Sequence, residues 1–217
     1  MNFMRIIFLC SLILFSLLTS SCSNSTPPPT PQVVSVFSSS FTQPWLTELY
    51  ACAGISATIR LSDSASASVA DIRLQLGEPE WLTGFAYQID EEEILIVTNR
   101  VSPIQNLTPE QAKELFMGLG NPTVQVWVYA SGTDGQNVFE QLVMDGRTVT
   151  LSVNIASTPQ QMSDILVNQE NTAGILPRHW KAGDVRDVFS AGKVPVLALT
   201  NVEPQGVVKE LIGCLQK

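Results

Sequence analysis

From Val33 onward the chain alternates short β-rich runs with amphipathic helical stretches. This alternation restricts the fold more than any other feature, because it is the pattern of an α/β domain. Strands are expected at residues 33–37, 55–61, 83–88, 93–99, 124–129, 173–176 and 194–199. Helices are expected at 43–53, 67–76, 108–117, 133–144, 158–168 and 204–215. The clearest start signal is Thr108-Pro109-Glu110-Gln111, which offers an N-cap hydroxyl, proline at the first helical position and glutamine two further on, a capping box. No internal repeat is present.

The N-terminus has a different character. Arg5 precedes the apolar run Ile6–Leu18, which is too short for the roughly 20 residues that span a bilayer. Thr19-Ser20-Ser21-Cys22 follows, so residues 1–21 read as a secretory signal. The junction resembles a lipobox in which Cys22 is lipidated, although Leu18 stands four residues before the cysteine. Ordinary signal cleavage with Cys22 as a free thiol is the alternative. Residues 22–31 form the lipidated cysteine and a Pro/Ser-rich stalk, whose prolines favour an extended spacer of roughly 28 Å. These segments place the folded domain outside the cytoplasmic membrane, lipid-anchored to the cell membrane or an outer membrane, in a compartment that permits disulfides.

Cysteine usage follows from that compartment. Cys10 leaves with the signal and Cys22 carries lipid, so Cys52 and Cys214 remain. A disulfide between them closes a loop of about 160 residues, worth at most roughly 5 kcal/mol in the chain-entropy model. Two buried thiols are the alternative. The formal charge is −8 with no basic block, which disfavours nucleic acid as a partner. With one histidine, no Cys/His metal site and no cofactor are expected.

Three strand-to-loop junctions are rich in hydroxyls: Ser38-Ser39-Ser40-Phe41, Ser62-Asp63-Ser64 and Ser131-Gly132-Thr133. Helix capping explains any one of them. Together they offer backbone N–H groups, hydroxyls and helix N-termini to the carboxyl ends of strands, an arrangement that holds an anion. The run Asp90-Glu91-Glu92-Glu93 reads as a solvated turn. There is no G-x-S-x-G elbow, and nothing aims His179 at Ser131, so no catalytic residues and no enzyme activity are expected. Trp45, Trp81, Trp127 and Trp180 read as core or surface residues, with a ligand platform as the alternative.

Residues 93–118, EILIVTNRVSPIQNLTPEQAKELFMG, resemble the crossover segment of the phosphate-type periplasmic solute-binding proteins. Asn99, Pro103, Asn106, Leu107, Thr108, Glu110, Gln111, Phe116 and Gly118 carry the match. Val126–Phe139 is similar to that family's strand, S-G-T turn and helix, and Asn171–Leu176 to a later strand. The resemblance implies a two-lobed, type II periplasmic-binding-protein-like fold with mixed sheets flanked by helices. Lobe 1 takes residues 32–100 and 195–217, and lobe 2 takes 101–194. It also implies ligand contacts from Ser38, Ser39, Ser40, Phe41, Ser62, Ser64, Ser131, Gly132 and Thr133. Glu78 stands nearest the acidic residue that accepts a phosphate proton in the family.

The function so implied is that of a monomeric solute-binding lipoprotein of a phosphate-type ABC uptake system. It captures a small anion, phosphate or another oxyanion, and hands it to a membrane permease. The family's phosphate binders usually carry an arginine just before the S-G-T turn, where this chain reads Val128-Tyr129-Ala130. A missing charge-assisted bond of ~1.5–3 kcal/mol is roughly ten- to a hundredfold in affinity. The alternative is therefore a degenerate binding-protein fold acting as a sensor or an envelope protein-interaction lipoprotein.

Overall fold

The structure, a computed structural model, describes residues 31–150 and 152–217. The expected signal segment, Cys22 and stalk residues 23–30 lie outside the described residues. Among the described residues, eight strands form one sheet: β1 (Gln32–Ser38), β2 (Ala57–Leu61), β3 (Ile72–Leu76), β4 (Phe85–Asn99), β5 (Gln125–Tyr129), β6 (Asn154–Ala156), β7 (Thr172–Pro177) and β8 (Val185–Thr200). Five α-helices flank it: α1 (Leu46–Ala53), α2 (Pro109–Phe116), α3 (Asp134–Leu142), α4 (Pro159–Asn168) and α5 (Gly206–Leu215). None of the described helices is long and apolar enough to cross a membrane.

The strand order is β2-β1-β3-β8-β4-β7-β5-β6. Its centre is a long antiparallel ribbon in which β4 runs against β8 from the Phe85–Thr200 pair to the Asn99–Val185 pair. The parallel strands lie on either side. β3 joins the ribbon at Val196–Leu199 of β8, and β7 joins it at Ile94–Thr98 of β4. The two half-sheets are therefore offset along the ribbon, and only its middle links them. Register shifts near Gln88 and Ile94 interrupt the ladder there, which adds local twist.

The apolar pattern explains the centre. Ile94, Leu95, Ile96 and Val97 are all buried, because that part of β4 is covered on both faces. β3 alternates buried Ile72, Leu74 and Leu76 with half-buried Arg73 and Gln75. The helix expected over 67–76 is corrected on this point. A 3-10 turn, Ser64–Val69, ends before Ala70, and the following residues follow the two-residue period of a strand between β1 and β8.

The resemblance residues also have local structural work. Thr108 accepts from the Gln111 N–H while the Gln111 side chain accepts from the Thr108 N–H, the expected capping box. Asn99 donates through Nδ2 to the carbonyls of Leu166 and Val167, both at 3.0 Å, and so satisfies orphan carbonyls of α4. Cys52 on α1 is bonded to Cys214 on α5 with a Cα–Cα distance of 5.9 Å. The bridge ties the chain's C-terminal helix to its first helix across 162 residues.

The two strands expected at 83–88 and 93–99 are one strand, and Asp90–Glu93 is not a turn. These residues pair with Val196, Pro195, Val194 and Lys193 in the middle of the ribbon. Each carboxylate has a partner. Trp45 donates through Nε1 to Asp90 at 2.8 Å, and Lys193 lies 3.5 Å from Glu91. Arg178 donates to Glu93 at 2.6 Å, as does Ser190. Glu92, only 1 % exposed, lies 2.6 Å from His179 Nδ1. Partners from elsewhere in the fold let a like-charged run remain extended.

Two predictions follow from the packing. Replacing Cys52 and Cys214 together by serine should lower unfolding stability by about 2–5 kcal/mol in urea titrations. Burial pushes Glu92 above its usual 4.5, although His179 pulls it down. Glu92 thus contributes most stability below pH 4.5 and loses that contribution as pH rises through its folded value. Glu92→Gln should gain stability relative to the parent as pH rises above 4.5. A difference that does not change with pH would contradict this.

Candidate functional site

The carboxyl ends of β1 and β3 face the start of α3. Thr42, fully buried, pins the loop after β1, with Oγ1 3.3 Å from the Leu74 carbonyl and 3.0 Å from Ser38 Oγ. The turn places Ser39 on the cleft side and sends Phe41 inward. Phe41 is buried against Tyr129 in an edge-to-face contact with centroids 4.8 Å apart. Tyr129 is itself fixed, since its hydroxyl donates to the Ile175 carbonyl at 2.8 Å. Burial pushes the Tyr129 phenol well above 10.

Small residues allow the two walls to meet. A Cβ at Gly135 would fall 2.2 Å from Phe41, and one at Gly77 would fall 2.4 Å from Val138. Only hydrogen at these positions lets α3 approach the ends of β1 and β3 so closely. Gln136 holds the facing loop, accepting from the Tyr129 N–H at 3.1 Å and donating to Glu140 at 2.9 Å.

Asp134 is the polar link across this contact. One carboxylate oxygen accepts from Ser39 Oγ at 2.8 Å and from the Leu76 N–H at 3.2 Å. Burial raises its pKa from 3.8, while the Ser39, Leu76 and own-backbone bonds and the charge of Arg73 oppose that rise. The donors come from β1 and β3, and the carboxylate comes from the helix after β5. Sequence reading missed Asp134 as a site residue. An acid in the first turn of a helix is ordinary, and no spacing announces that it reaches a distant strand.

Beside this link a cleft of about 580 Å³ opens between the segment after β3 and α3. Glu78, Glu80, Trp81, Gly132, Asp134 and Glu140 are among its lining residues. Among the described residues, no lysine or arginine lines it. Trp81 is 79 % exposed.

The expected site residues are thus partly assembled. Ser38 and Ser39 meet Thr42 and Asp134, and Glu78 and Gly132 line the cleft. Thr133 Oγ1 donates back to the Ala130 carbonyl at 2.8 Å, forming the turn that leads into α3. Ser131 is exposed on that turn and Ser40 is half-buried. Phe41 packs into the wall. Ser62 and Ser64 stand after β2, where the Ser62 N–H donates to the Val36 carbonyl and Asp63 caps the 3-10 turn. His179 stacks on Trp45 at 4.8 Å beside the ribbon.

No protein-family model and no curated protein matches this chain. Solved structures match in fold. A protein from Clostridium perfringens assigned as a phosphate ABC transporter substrate-binding protein, with bound phosphate, aligns at TM-score 0.72 and 18% identity. The alignment covers 85% of this chain and 93% of that one. An ABC-type phosphate transport receptor from Vibrio cholerae aligns at TM-score 0.66 and 16% identity, with the same coverage. A reduced form of OxyR from N. meningitidis aligns at TM-score 0.63 and 10% identity, over 85% and 94% of the chains. The chain therefore has the mixed α/β fold of the two-lobed periplasmic binding proteins. That fold carries more than one function, so function rests on the site.

Two substitutions test the closed wall. Phe41→Ala should cost about 3–5 kcal/mol of stability, as loss of a buried aromatic ring does. Gly135→Ala should cost about 1–3 kcal/mol by overpacking against Phe41. Urea midpoints of the two variants check both, and unchanged midpoints would contradict the contact.

Proposed function

We propose that this chain is an extracytoplasmic solute-binding lipoprotein of a phosphate-type ABC uptake system. Its ligand is a small anion, phosphate or a similar oxyanion, held between lobe 1 (residues 32–100 and 195–217) and lobe 2 (residues 101–194). The observation that carries this reading is the pair of donors, Ser39 Oγ and the Leu76 N–H, converging on one anionic oxygen from the opposite wall. A site that already holds a carboxylate oxygen has the donor chemistry for an oxyanion. The similarity in fold to phosphate receptors supports the same reading.

In this reading Cys22 is lipidated, the stalk spaces the domain from the membrane, and the monomer delivers solute to a permease. Binding and release are its whole task, and it catalyses no reaction. Residues 38–41 and 131–133 contribute the ligand-facing loops, with Glu78 at the cleft edge. A second reading, a sensor or envelope protein-interaction lipoprotein on the same fold, is favoured by one observation. Among the described residues the cleft presents carboxylates and no cation, and the apolar Val138 is part of its wall.

Calorimetric titration of the full chain in detergent micelles with inorganic phosphate, at neutral pH and fixed salt, separates them. The uptake reading predicts saturable binding with one phosphate per chain. No heat with phosphate or sulfate, and no rise in thermal midpoint with either, contradicts it and favours the second reading.

A further inference from the structure

We propose that the Asp134 carboxylate is a resident stand-in for the ligand anion. It occupies the two donors of the facing wall, Ser39 Oγ and the Leu76 N–H, and an entering oxyanion binds only by displacing it. This rests on the anion-binding reading above and assigns a gate to that site.

Three observations carry the inference. Both donors engage the same oxygen of Asp134, so neither is left to a second anion in this arrangement. Asp134 follows directly on Ser131-Gly132-Thr133, the loop that faces the ends of β1 and β3. It also lines the open cleft, so its side chain has a route away from Ser39 into solvent. The closed wall around Phe41 and Gly135 is bridged on its polar side by the protein's own anion, the Asp134 carboxylate.

The chemistry allows one occupant at a time. Two anions sharing a pair of donors at contact distance repel strongly in a partly buried cleft. Asp134 is tethered and neutralised only in part, with Arg73 as the cation acting on it. If the self-held form makes up 90–99 % of molecules, apparent affinity for an added anion is weakened about ten- to a hundredfold. The gate therefore sets a threshold: it rejects dilute or weakly bonding anions and admits one that makes better use of both donors.

The test titrates phosphate into the full chain and into two variants, Asp134→Ser and Asp134→Asn, in the same micelles. Serine is too short to reach both donors, and asparagine keeps the shape without the charge. The expected result is phosphate binding about ten- to a hundredfold tighter in Asp134→Ser, with Asp134→Asn between it and the parent. Equal or weaker binding in both folded variants overturns the gate. If the parent binds phosphate and the variants match it, the gate falls and the receptor reading stands. If parent and folded variants all fail to bind phosphate, both fall.

A second measurement needs no variant. Stopped-flow mixing of the parent with phosphate, followed by tryptophan emission, should give an observed rate that saturates as Asp134 release becomes limiting. A rate linear in phosphate concentration up to the fastest measurable phase overturns the gate.

Discussion

The ribbon of β4 and β8 is the constraint on which the rest of the structure depends. Two strands of 15 and 16 residues pair antiparallel along their whole length, and each half-sheet attaches near a different end. Side chains in the middle of the ribbon must therefore serve two bodies. This is why a run of four acids sits there in extended backbone. Their partners come from three places in the fold: Trp45 after β1, Arg178 and His179 after β7, and Lys193 and Ser190 on β8. The disulfide then fixes α5 to α1 and returns the end of β8 to the half-sheet where the domain began.

The same geometry positions the site. Because the half-sheets are offset, the ends of β1 and β3 face the start of α3 across a narrow gap. Apolar contact closes the deep part of that gap, where Phe41 meets Tyr129 and Gly135, and Gly77 meets Val138. The polar part is closed by a carboxylate. Ser39 and Leu76 have donors that burial would leave costly without an acceptor, and Asp134 satisfies both. In the exchange we propose, an oxyanion competes through its larger number of acceptor oxygens.

Much of this was legible in the sequence. The capping box at Thr108 and the helical stretches expected at 43–53 and 204–215 are local signals, and helices stand at each of these places. Counting cysteines left two readings for Cys52 and Cys214, a disulfide or two buried thiols, and the structure has the disulfide. The errors fall where tertiary context decides. Residues 67–76 look like one short helix until β1 and β8 flank Ile72–Leu76 as a strand. Asp90–Glu93 looks like a turn until its partners, 85 positions away for Arg178 on Glu93, 87 for His179 on Glu92 and 106 for Val196 opposite Asp90, are folded against it. Asp134 was invisible for the same reason: its two donors lie 58 and 95 positions away, and only the folded sheet brings them together.

The central claim is that the Asp134 carboxylate couples the two walls of the cleft through Ser39. A double-mutant cycle tests it most directly, comparing unfolding of the parent with Ser39→Ala, Asp134→Ala and the double variant. The account predicts a coupling of about 1.5–3 kcal/mol, the size of a hydrogen bond to a charged group. Additive effects within about 0.3 kcal/mol would contradict it.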